Sequence, residues 1–311
     1  MRIPLAILAA AVLAGPSLGQ RSAAPFTIAE SGQGFGTLAQ AVDAVGDGQA
    51  TIVIAPGVYR ECAVQGAGVI TYRSAVPGGA VFDGVACNGK AALVLDGRGA
   101  TVEGIVFRNL KVADQNGAGI RLQRGNLSVS NAMFLDSQEG ILTADDPSSS
   151  IRVDRSTFSG LGLCPDGGSC AHGIYVGGYG SLSVTRSRFE RGKGGHYVKS
   201  RAARIEVLDS SFDDTRGHVT NYMIDLPAGA RGTVARNTFV QGTDKENHSA
   251  FVAVGAETIK NPSAGLQIVD NSASLAAGVD WSTTFVADWS HEPLRIADNR
   301  VAAGIKLFET R

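Results

Sequence analysis

The segment Gly195–Arg201 carries the densest group of basic and aromatic side chains in the sequence. Lysine, arginine, histidine and tyrosine can together perform β-elimination on a uronic acid. That reaction needs a neutralised carboxylate, a base for the adjacent proton and an acid for the leaving oxygen. Arg201 suits a bidentate carboxylate clamp, and Lys199 can be the base if burial and nearby positive charge lower its pKa. His196 and Tyr222 are alternatives for the base or the acid, so these four side chains are the candidate catalytic residues.

Other chemistries leave weaker signals. Glycoside hydrolysis needs facing carboxylates, and the acidic pair Asp145 and Asp146 is followed by a proline and serines that predict a loop. The cysteines and histidines lack the spacing of a zinc site. Asp225, Asn247 and Glu257 form the best arrangement for calcium, but no dense acidic cluster accompanies them. We therefore expect no cofactor, and calcium is the less favoured alternative.

A repeated unit predicts how the candidate residues are positioned. Each copy reads apolar, polar, apolar and then a short polar turn, usually followed by phenylalanine. The copies are Thr101–Phe107, Leu127–Phe134, Ile151–Phe158, Leu182–Phe189, Ile205–Phe212, Gly232–Phe239, Leu266–Asn271 and Leu294–Asn299. Their central apolar residues recur every 23 to 34 residues, as expected for one solenoid coil per repeat. A β-propeller has longer repeats, and the frame of leucine-rich repeats is absent.

The turns of these copies hold serine or asparagine at one position. Such residues fit stacked inward corners of a solenoid, and contact with carbohydrate is the less favoured interpretation. They are Ser156, Ser187, Ser210, Asn237, Asn271 and Asn299.

A second strand precedes most copies, and its alternation predicts an outward row. The isoleucine or valine at its centre points inward, so the next residue faces solvent. Consecutive coils lie about 4.8 Å apart, which should place Tyr175, Lys199 and Asp225 side by side. His172 and His196 stand just before the same strands, and Asn247 shortly precedes a later one. The candidate substrate-binding residues are therefore His172, Tyr175, Asp225 and Asn247.

Each candidate also has a structural interpretation. Lys199 and Asp225 can form an ion pair between coils, which contributes little at a surface. His172 and His196 can cap strands through backbone hydrogen bonds, and the tyrosines can cover apolar surface. These interpretations stay open for the single residues, and the hypothesis of a ligand site depends on the cluster as a whole.

The N-terminal residues predict an export signal. Arg2 precedes the apolar run Ile3–Leu13, and Ser17 and Gly19 put small residues at the two positions that a signal peptidase reads. This predicts a signal peptide over residues 1–19. Residues 20–311 are then expected to form a single domain. Thr37 is a plausible N-cap for a short amphipathic helix that reaches Val45 and covers the open end of the solenoid.

Composition and cysteine usage agree with an exported β protein. The 40 glycines and only 18% charged residues favour turns and strands over surface helices. The net charge of −1 gives no general case for binding nucleic acid or anionic membranes. Cys164 and Cys170 bracket a tight loop and are expected to form a disulfide, which leaves Cys62 and Cys87 as the second pair. Four cysteines nevertheless admit other connectivities.

These features resemble the pectin-lyase-like superfamily of right-handed β-helix proteins. The resemblance depends on the cap Thr37–Val45, the segment Ile54–Glu61, and the Gly-Ile and Asn-x-Phe patterns of the coils. It implies an all-β, right-handed parallel β-helix (solenoid) with a short N-terminal capping helix. It also implies a protein that acts on or binds polysaccharides, many of them acidic. Lyases of this fold commonly use lysine or arginine as the base, often with calcium.

The expected function is that of a periplasmic or extracellular polysaccharide lyase acting on an acidic, uronate-containing polysaccharide. The alternatives are a non-catalytic module that binds glycans or the cell envelope, and a glycoside hydrolase of the same fold. We expect a monomer whose partner is the acidic polysaccharide, with no nucleic-acid binding and no membrane insertion.

Overall fold

The computed structural model describes residues 24–164 and 170–311, which form a right-handed parallel β-helix. Short strands of alternating polarity cannot bury an apolar face alone, so successive coils stack and share one core. Three sheets run along the solenoid, and one short helix accompanies them. This confirms the predicted fold. The signal peptide predicted over residues 1–19 lies outside the described residues, and the single domain over residues 20–311 stays a prediction.

The first sheet has 12 strands. In spatial order they are Gly34–Phe35, Phe26–Ile28, Gln49–Ile54, Val69–Ser74, Gly99–Glu103, Asn126–Ser130, Asp146–Asp154, Tyr179–Thr185, Arg204–Leu208, Arg231–Ala235, Gln267–Val269 and Arg295–Ala297. Phe26–Ile28 pairs antiparallel with both of its neighbours, and the remaining pairs are parallel.

The second sheet has ten strands. They are Gly57–Tyr59, Ala80–Asp83, Ile105–Arg108, Met133–Leu135, Thr157–Ser159, Arg188–Glu190, Ser211–Asp213, Thr238–Gln241, Ser272–Leu275 and Arg300–Val301.

The third sheet also has ten strands, all parallel, and carries the residues singled out above. They are Ala63–Gln65, Ala91–Leu95, Ala118–Leu122, Glu139–Thr143, Ile174–Val176, Val198–Ser200, Ile224–Leu226, Ala250–Val254, Thr283–Asp288 and Ile305–Thr310.

Equivalent residues stack from coil to coil in the core. The phenylalanines that end the repeats form a continuous column, with neighbouring ring centroids 4.7–5.9 Å apart. The column consists of Phe82, Phe107, Phe134, Phe158, Phe189, Phe212 and Phe239. Its rings are fully buried, so the column removes a large apolar area from water and fixes the register of the second sheet.

The predicted cap and disulfides are confirmed. The helix Leu38–Val45 begins after Thr37, whose hydroxyl accepts a hydrogen bond from the backbone N–H of Gln40 in a capping box. Its buried face packs on the first coils and covers their apolar end. Disulfides join Cys62 to Cys87 and Cys164 to Cys170, in agreement with an oxidising compartment. No helix in the described ranges is long and apolar enough to span a membrane.

The predicted corner residues form a hydrogen-bonded ladder. The side chains of Ser187, Ser210, Asn237, Asn271 and Asn299 each accept from the backbone N–H of the corner residue one coil earlier, at 2.9–3.1 Å. The ladder satisfies backbone donors that the turns would otherwise bury without a partner. This supports the structural interpretation of these residues.

Replacing Asn271 with alanine should destabilise the fold. Its buried amide donates to the carbonyl oxygens of Val234 and Val269 and accepts from Asn237, so Asn271→Ala leaves several buried groups unsatisfied. We expect a loss of about 2–4 kcal/mol in the free energy of unfolding, measured by urea denaturation. The adjacent exposed Ser272→Ala is the control, and equal midpoints for the two variants would contradict the ladder's role.

Candidate functional site

The register of the third sheet creates the predicted outward row. Tyr175 pairs with Lys199, and Lys199 pairs with Asp225, on three consecutive coils. Lys199 faces outward, and only 12% of its side chain is exposed because neighbouring side chains cover its stem. Arg201 follows directly after the strand Val198–Ser200. The prediction that coil stacking brings these distant residues together is confirmed.

A second polar row lies where the same strands begin. The register places Glu139, His172, His196 and Tyr222 at equivalent positions on four coils. The ring of His196 stacks on His172 at a centroid distance of 5.0 Å and on Tyr222 at 5.6 Å. The histidines are thus held by stacking as well as by hydrogen bonds.

Both histidines are neutral. Burial, together with the positive charges of Lys199 and Arg201, lowers the pKa of His172 to about 3. Burial also holds the pKa of His196 well below its ordinary value. His172 Nδ1 accepts from the backbone N–H of His196 at 3.0 Å, so the proton of His172 is on Nε2. Gly195 permits this contact, because a Cβ there would lie 2.6 Å from His172 Nδ1 and the residue has a φ of +61°.

Lys199 is held in its charged form by two carboxylates. Its Nζ lies 3.1 Å from Asp225 Oδ2 and 2.8 Å from Glu257 Oε1. Burial disfavours the ammonium, but the two carboxylates outweigh burial and raise the pKa of Lys199. The role of base considered for Lys199 required the opposite direction, a lowered pKa. The pKa is raised because Asp225 on the next coil and Glu257, far away in the chain, both contact the ammonium.

Lys199 and Arg201 both bind the carboxylate of Glu257. Glu257 Oε2 lies 2.5 Å from Arg201 Nη2, while Oε1 contacts Lys199. Burial raises the pKa of Glu257, but hydrogen bonds from both cations prevail and lower it. The guanidinium of Arg201 is also hydrogen-bonded to the hydroxyl of Tyr175 and lies over its ring, 5.2 Å from the centroid. We call Lys199 and Arg201 the carboxylate clamp.

Asp225 is a buried carboxyl that links the two rows. Its Oδ2 contacts Lys199 and lies 3.3 Å from His196 Nε2, while Oδ1 has no hydrogen-bond partner among the described residues. Burial raises the pKa of Asp225 to about 6, against the opposing effect of Lys199. His196 Nδ1 lies 3.3 Å from the carbonyl oxygen of Tyr222. A proton on Nδ1 leaves Nε2 as an acceptor, so His196 accepts a hydrogen bond from Asp225 when that carboxyl is protonated, below about pH 6.

A fully buried polar network supports the loops that carry His196 and Tyr222. Asp214 Oδ2 pairs with Lys245 Nζ at 3.1 Å, and neither side chain is exposed. The hydroxyls of Tyr197 and Thr220 donate to the same carboxylate. Such a pair stabilises only when its hydrogen bonds are satisfied, so the network holds three consecutive coils in a fixed arrangement.

These side chains line an open groove of about 490 Å³ on the third sheet. The lining residues are Lys90, Asn116, Arg121, Glu139, Leu142, Cys170, His172, Tyr175, His196, Lys199, Arg201 and Glu257. Four of them are cationic, and Glu257 is the one ionised carboxylate among these lining residues, since burial raises the pKa of Glu139 well above its ordinary value. The groove is therefore suited to a negatively charged ligand.

Three predicted site residues are not part of the groove lining: Asp225, which contacts Lys199 and His196 as described above, and Tyr222 and Asn247. The hydroxyl of Tyr222 is 3.4 Å from Ser249 Oγ, and its ring serves as the stacking partner of His196. Asn247 caps a turn by accepting from the backbone N–H of Ser249. Tyr175, predicted only as a binding residue, is the tyrosine that lines the groove.

The calcium and hydrolase signals have structural explanations. Asp225 and Glu257 share the ammonium of Lys199, and Asn247 is engaged in its turn, so these residues do not fit the oxygen-rich shell that calcium needs. Asp145 and Asp146 accept from the backbone N–H groups of Gly178 and Gly125, and Asp146 begins a strand rather than lying in a loop. Cys164, Cys170 and Glu246 lie close together, but the disulfide removes both thiolates.

Sequence reasoning missed the N-terminal part of the groove. Lys90, Arg121 and Glu139 line it, and the strand register places Arg121 in the same outward row as Tyr175. A signal was present, because Glu139 lies two residues before the inward Ile141, as His172 lies two residues before Ile174. The position of Glu257 had no comparable signal, since it depends on the path of a loop.

Comparisons with known proteins identify the fold. A family model described as "Right handed beta helix region" matches residues 79–280. A PL6 family alginate lyase, AlyGC, superposes with a TM-score of 0.52 and 13% sequence identity, covering 83% of this chain and 40% of the lyase. This chain thus spans about 40% of the length of that protein. A protein of Geobacillus virus E2, ORF18, gives a TM-score of 0.40 at 13% identity, covering 85% of this chain and 54% of the viral one. No curated protein matches the sequence.

Asp225 should make folding stability depend on pH. Its folded pKa of about 6 exceeds the ordinary value of 3.8, so the stability it contributes is present below about pH 4 and is lost as pH rises through about 6. Relative to Asp225→Asn, the wild type should lose up to about 3 kcal/mol across this interval. Urea unfolding at several pH values measures the difference. Parallel pH profiles for the two proteins would show that the carboxyl titrates normally.

Proposed function

This chain belongs to the right-handed β-helix family, and we propose that it is a polysaccharide lyase that cleaves an acidic, uronate-containing polysaccharide by β-elimination. The observation that supports the proposal is the pair of salt bridges from Lys199 and Arg201 to the carboxylate of Glu257. A uronate presents the same planar, anionic group, so it can take the place of Glu257 in the carboxylate clamp.

Binding in the carboxylate clamp prepares the substrate for elimination. Arg201 neutralises the uronate carboxylate in the reacting complex, which makes the proton on the adjacent carbon more acidic. Displacement of Glu257 leaves Asp225 as the protein carboxylate beside Lys199 and lets the Lys199 ammonium release its proton to solvent. Lys199 then becomes a better base, because the raised pKa of Lys199 depends in part on Glu257.

The proposed reaction needs one base and one acid. Unprotonated Lys199 takes the proton beside the carboxylate, a carbon–carbon double bond forms, and the bond to the leaving glycosidic oxygen breaks. The hydroxyl of Tyr175, hydrogen-bonded to Arg201 in the groove, is placed to protonate that oxygen. His172 presents a neutral Nε2–H to the substrate, and His196 and Asp225 hold Lys199 in position.

The charge of the groove and the fold likeness agree with an acidic polymer. Cations of Lys90 and Arg121 extend the positive potential beyond the carboxylate clamp. The alginate lyase that shares the fold is named for an acidic polysaccharide, which makes alginate a sensible first substrate to test. The predicted signal peptide and the two disulfides support export to the periplasm or medium.

A glycoside hydrolase is the second candidate. Burial raises the pKa of Asp225, whereas the clamp cations lower that of Glu257. In glycoside hydrolases, one carboxyl with a raised pKa acts as the acid, and a second carboxyl with a lower pKa stays ionised beside it. The ammonium of Lys199 lies between them in this structure, which makes this assignment the weaker of the two.

Lys199→Ala should abolish turnover of the accepted uronate polymer. We expect unsaturated products with near-ultraviolet absorbance from the wild type and a decrease of about 10²–10⁴-fold in the variant. Lys193→Ala is the control, because Lys193 pairs with Asp136 and is absent from the groove lining. New reducing ends without that absorbance would favour the hydrolase. Saturable binding without turnover would favour a binding module.

Glu257→Gln should strengthen binding of the substrate. The glutamine cannot compete ionically for the carboxylate clamp, and a half-exposed ion pair contributes about 1 kcal/mol, so KM should fall about fivefold. The exposed Glu246→Gln controls for loss of a loop charge. A higher KM together with a large fall in kcat would instead assign Glu257 a direct role in the reaction.

A further inference from the structure

Glu139 is an unusual carboxyl in the N-terminal part of the groove. It lines the groove and stands level with His172, one coil earlier. Only 1% of the residue is exposed, and its Oε2 has no hydrogen-bond partner among residues 24–164 and 170–311. A buried polar atom without a partner is costly in a protein interior, and in a binding groove it points to a ligand group that completes it.

The surroundings of Glu139 keep its carboxyl neutral. Burial raises the pKa of Glu139 well above its ordinary value, while the N–H of His172 and the charge of Arg121 oppose this weakly. Asp114, on the preceding coil, raises the pKa of Glu139 further, and Asp114 itself forms an ion pair with Lys90. His172 on the following coil is itself neutral. A protonated carboxyl is a hydrogen-bond donor.

Arg121 supplies positive charge beside this donor. It occupies the outward row two coils before Tyr175. Its Nε donates to Gln123 Oε1 at 3.1 Å, and no carboxylate within the described part of the chain forms an ion pair with it. An arginine and a protonated carboxyl in one groove together complement a carboxylate.

We propose that Arg121 and Glu139 form a second subsite, which binds the carboxylate of another acidic sugar of the same polymer chain. Arg121 provides the charge, and the carboxyl of Glu139 donates a hydrogen bond. The inference rests on the proposed function and adds a substrate class to it, since it requires acidic sugars at two places in the groove.

The spacing of the coils supports two separate subsites. Arg121 and Lys199 are three coil steps apart along the third sheet, and each step is about 4.8 Å. The carboxylates of one sugar ring cannot span that distance, so a single monosaccharide cannot occupy both positions. A polymer with uncharged sugars at the second subsite would leave the guanidinium of Arg121 without an anionic partner.

The test is calorimetric binding of an alginate tetrasaccharide and a galacturonate tetrasaccharide to the full chain, from about pH 5 to about pH 9, the range in which buried carboxyls titrate. Two variants separate the hydrogen bond donated by residue 139 from the effect of its ionisation. Glu139→Gln keeps a donor and cannot ionise, whereas Glu139→Leu has no donor. The exposed Glu206→Gln, on the first sheet, is the control. Circular dichroism verifies that each variant is folded.

The wild type should bind the better tetrasaccharide most tightly at low pH and weaken about tenfold as Glu139 ionises. In Glu139→Gln the affinity should no longer change with the ionisation of residue 139, whereas any change near pH 6 that comes from Asp225 should remain. Glu139→Leu should bind about tenfold more weakly than the wild type at low pH. Binding by Glu139→Leu equal to that of the wild type, or a pH profile unchanged in Glu139→Gln, would overturn the second subsite.

Unsaturated products are recorded in parallel. Their absence alongside normal binding would reject the lyase and leave the subsite standing, whereas no binding of either sugar would reject both.

Discussion

Parallel pairing of successive coils in constant register is the constraint on which this structure depends. It stacks inward phenylalanines into one column and corner residues into one hydrogen-bonded ladder. The same register places Tyr175, Lys199 and Asp225 next to one another on the outside. A shift of one residue in a middle coil would turn each side chain of its strand to the opposite face. Stability and site geometry therefore arise from the same pairing.

The groove is organised by charges that the protein balances with its own carboxylates. Lys199 and Arg201 would repel each other if no anion lay between them, and Glu257 provides that anion from a loop. The two carboxylates that contact Lys199 differ in exposure, because Asp225 is buried whereas Glu257 is half-exposed. In the proposed function, Glu257 occupies the place of the substrate carboxylate.

Burial gives the same residue types different chemistry at neighbouring positions. Glu257, partly exposed and paired with cations, has a lowered pKa, whereas Glu139, fully buried on the other side of the groove, has a raised one. His172 and His196 are neutral for the same reason. Side chains of one sheet and its adjoining loops thus place cations and neutral histidines in the same groove.

The repeat by itself determined the fold, because a solenoid coil is a local unit whose alternation and turn residues can be counted along the chain. It also determined the row of Tyr175, Lys199 and Asp225, since that row follows from register alone. The tertiary structure decided what depends on loops and burial. Glu257 returns across the groove and joins Asp225 in raising the pKa of Lys199. Tyr175 rather than Tyr222 lines the groove, and the pKa of Glu139 is raised because its surroundings exclude water. None of these has a periodic signal, because loop paths and solvent exclusion are set by packing between coils.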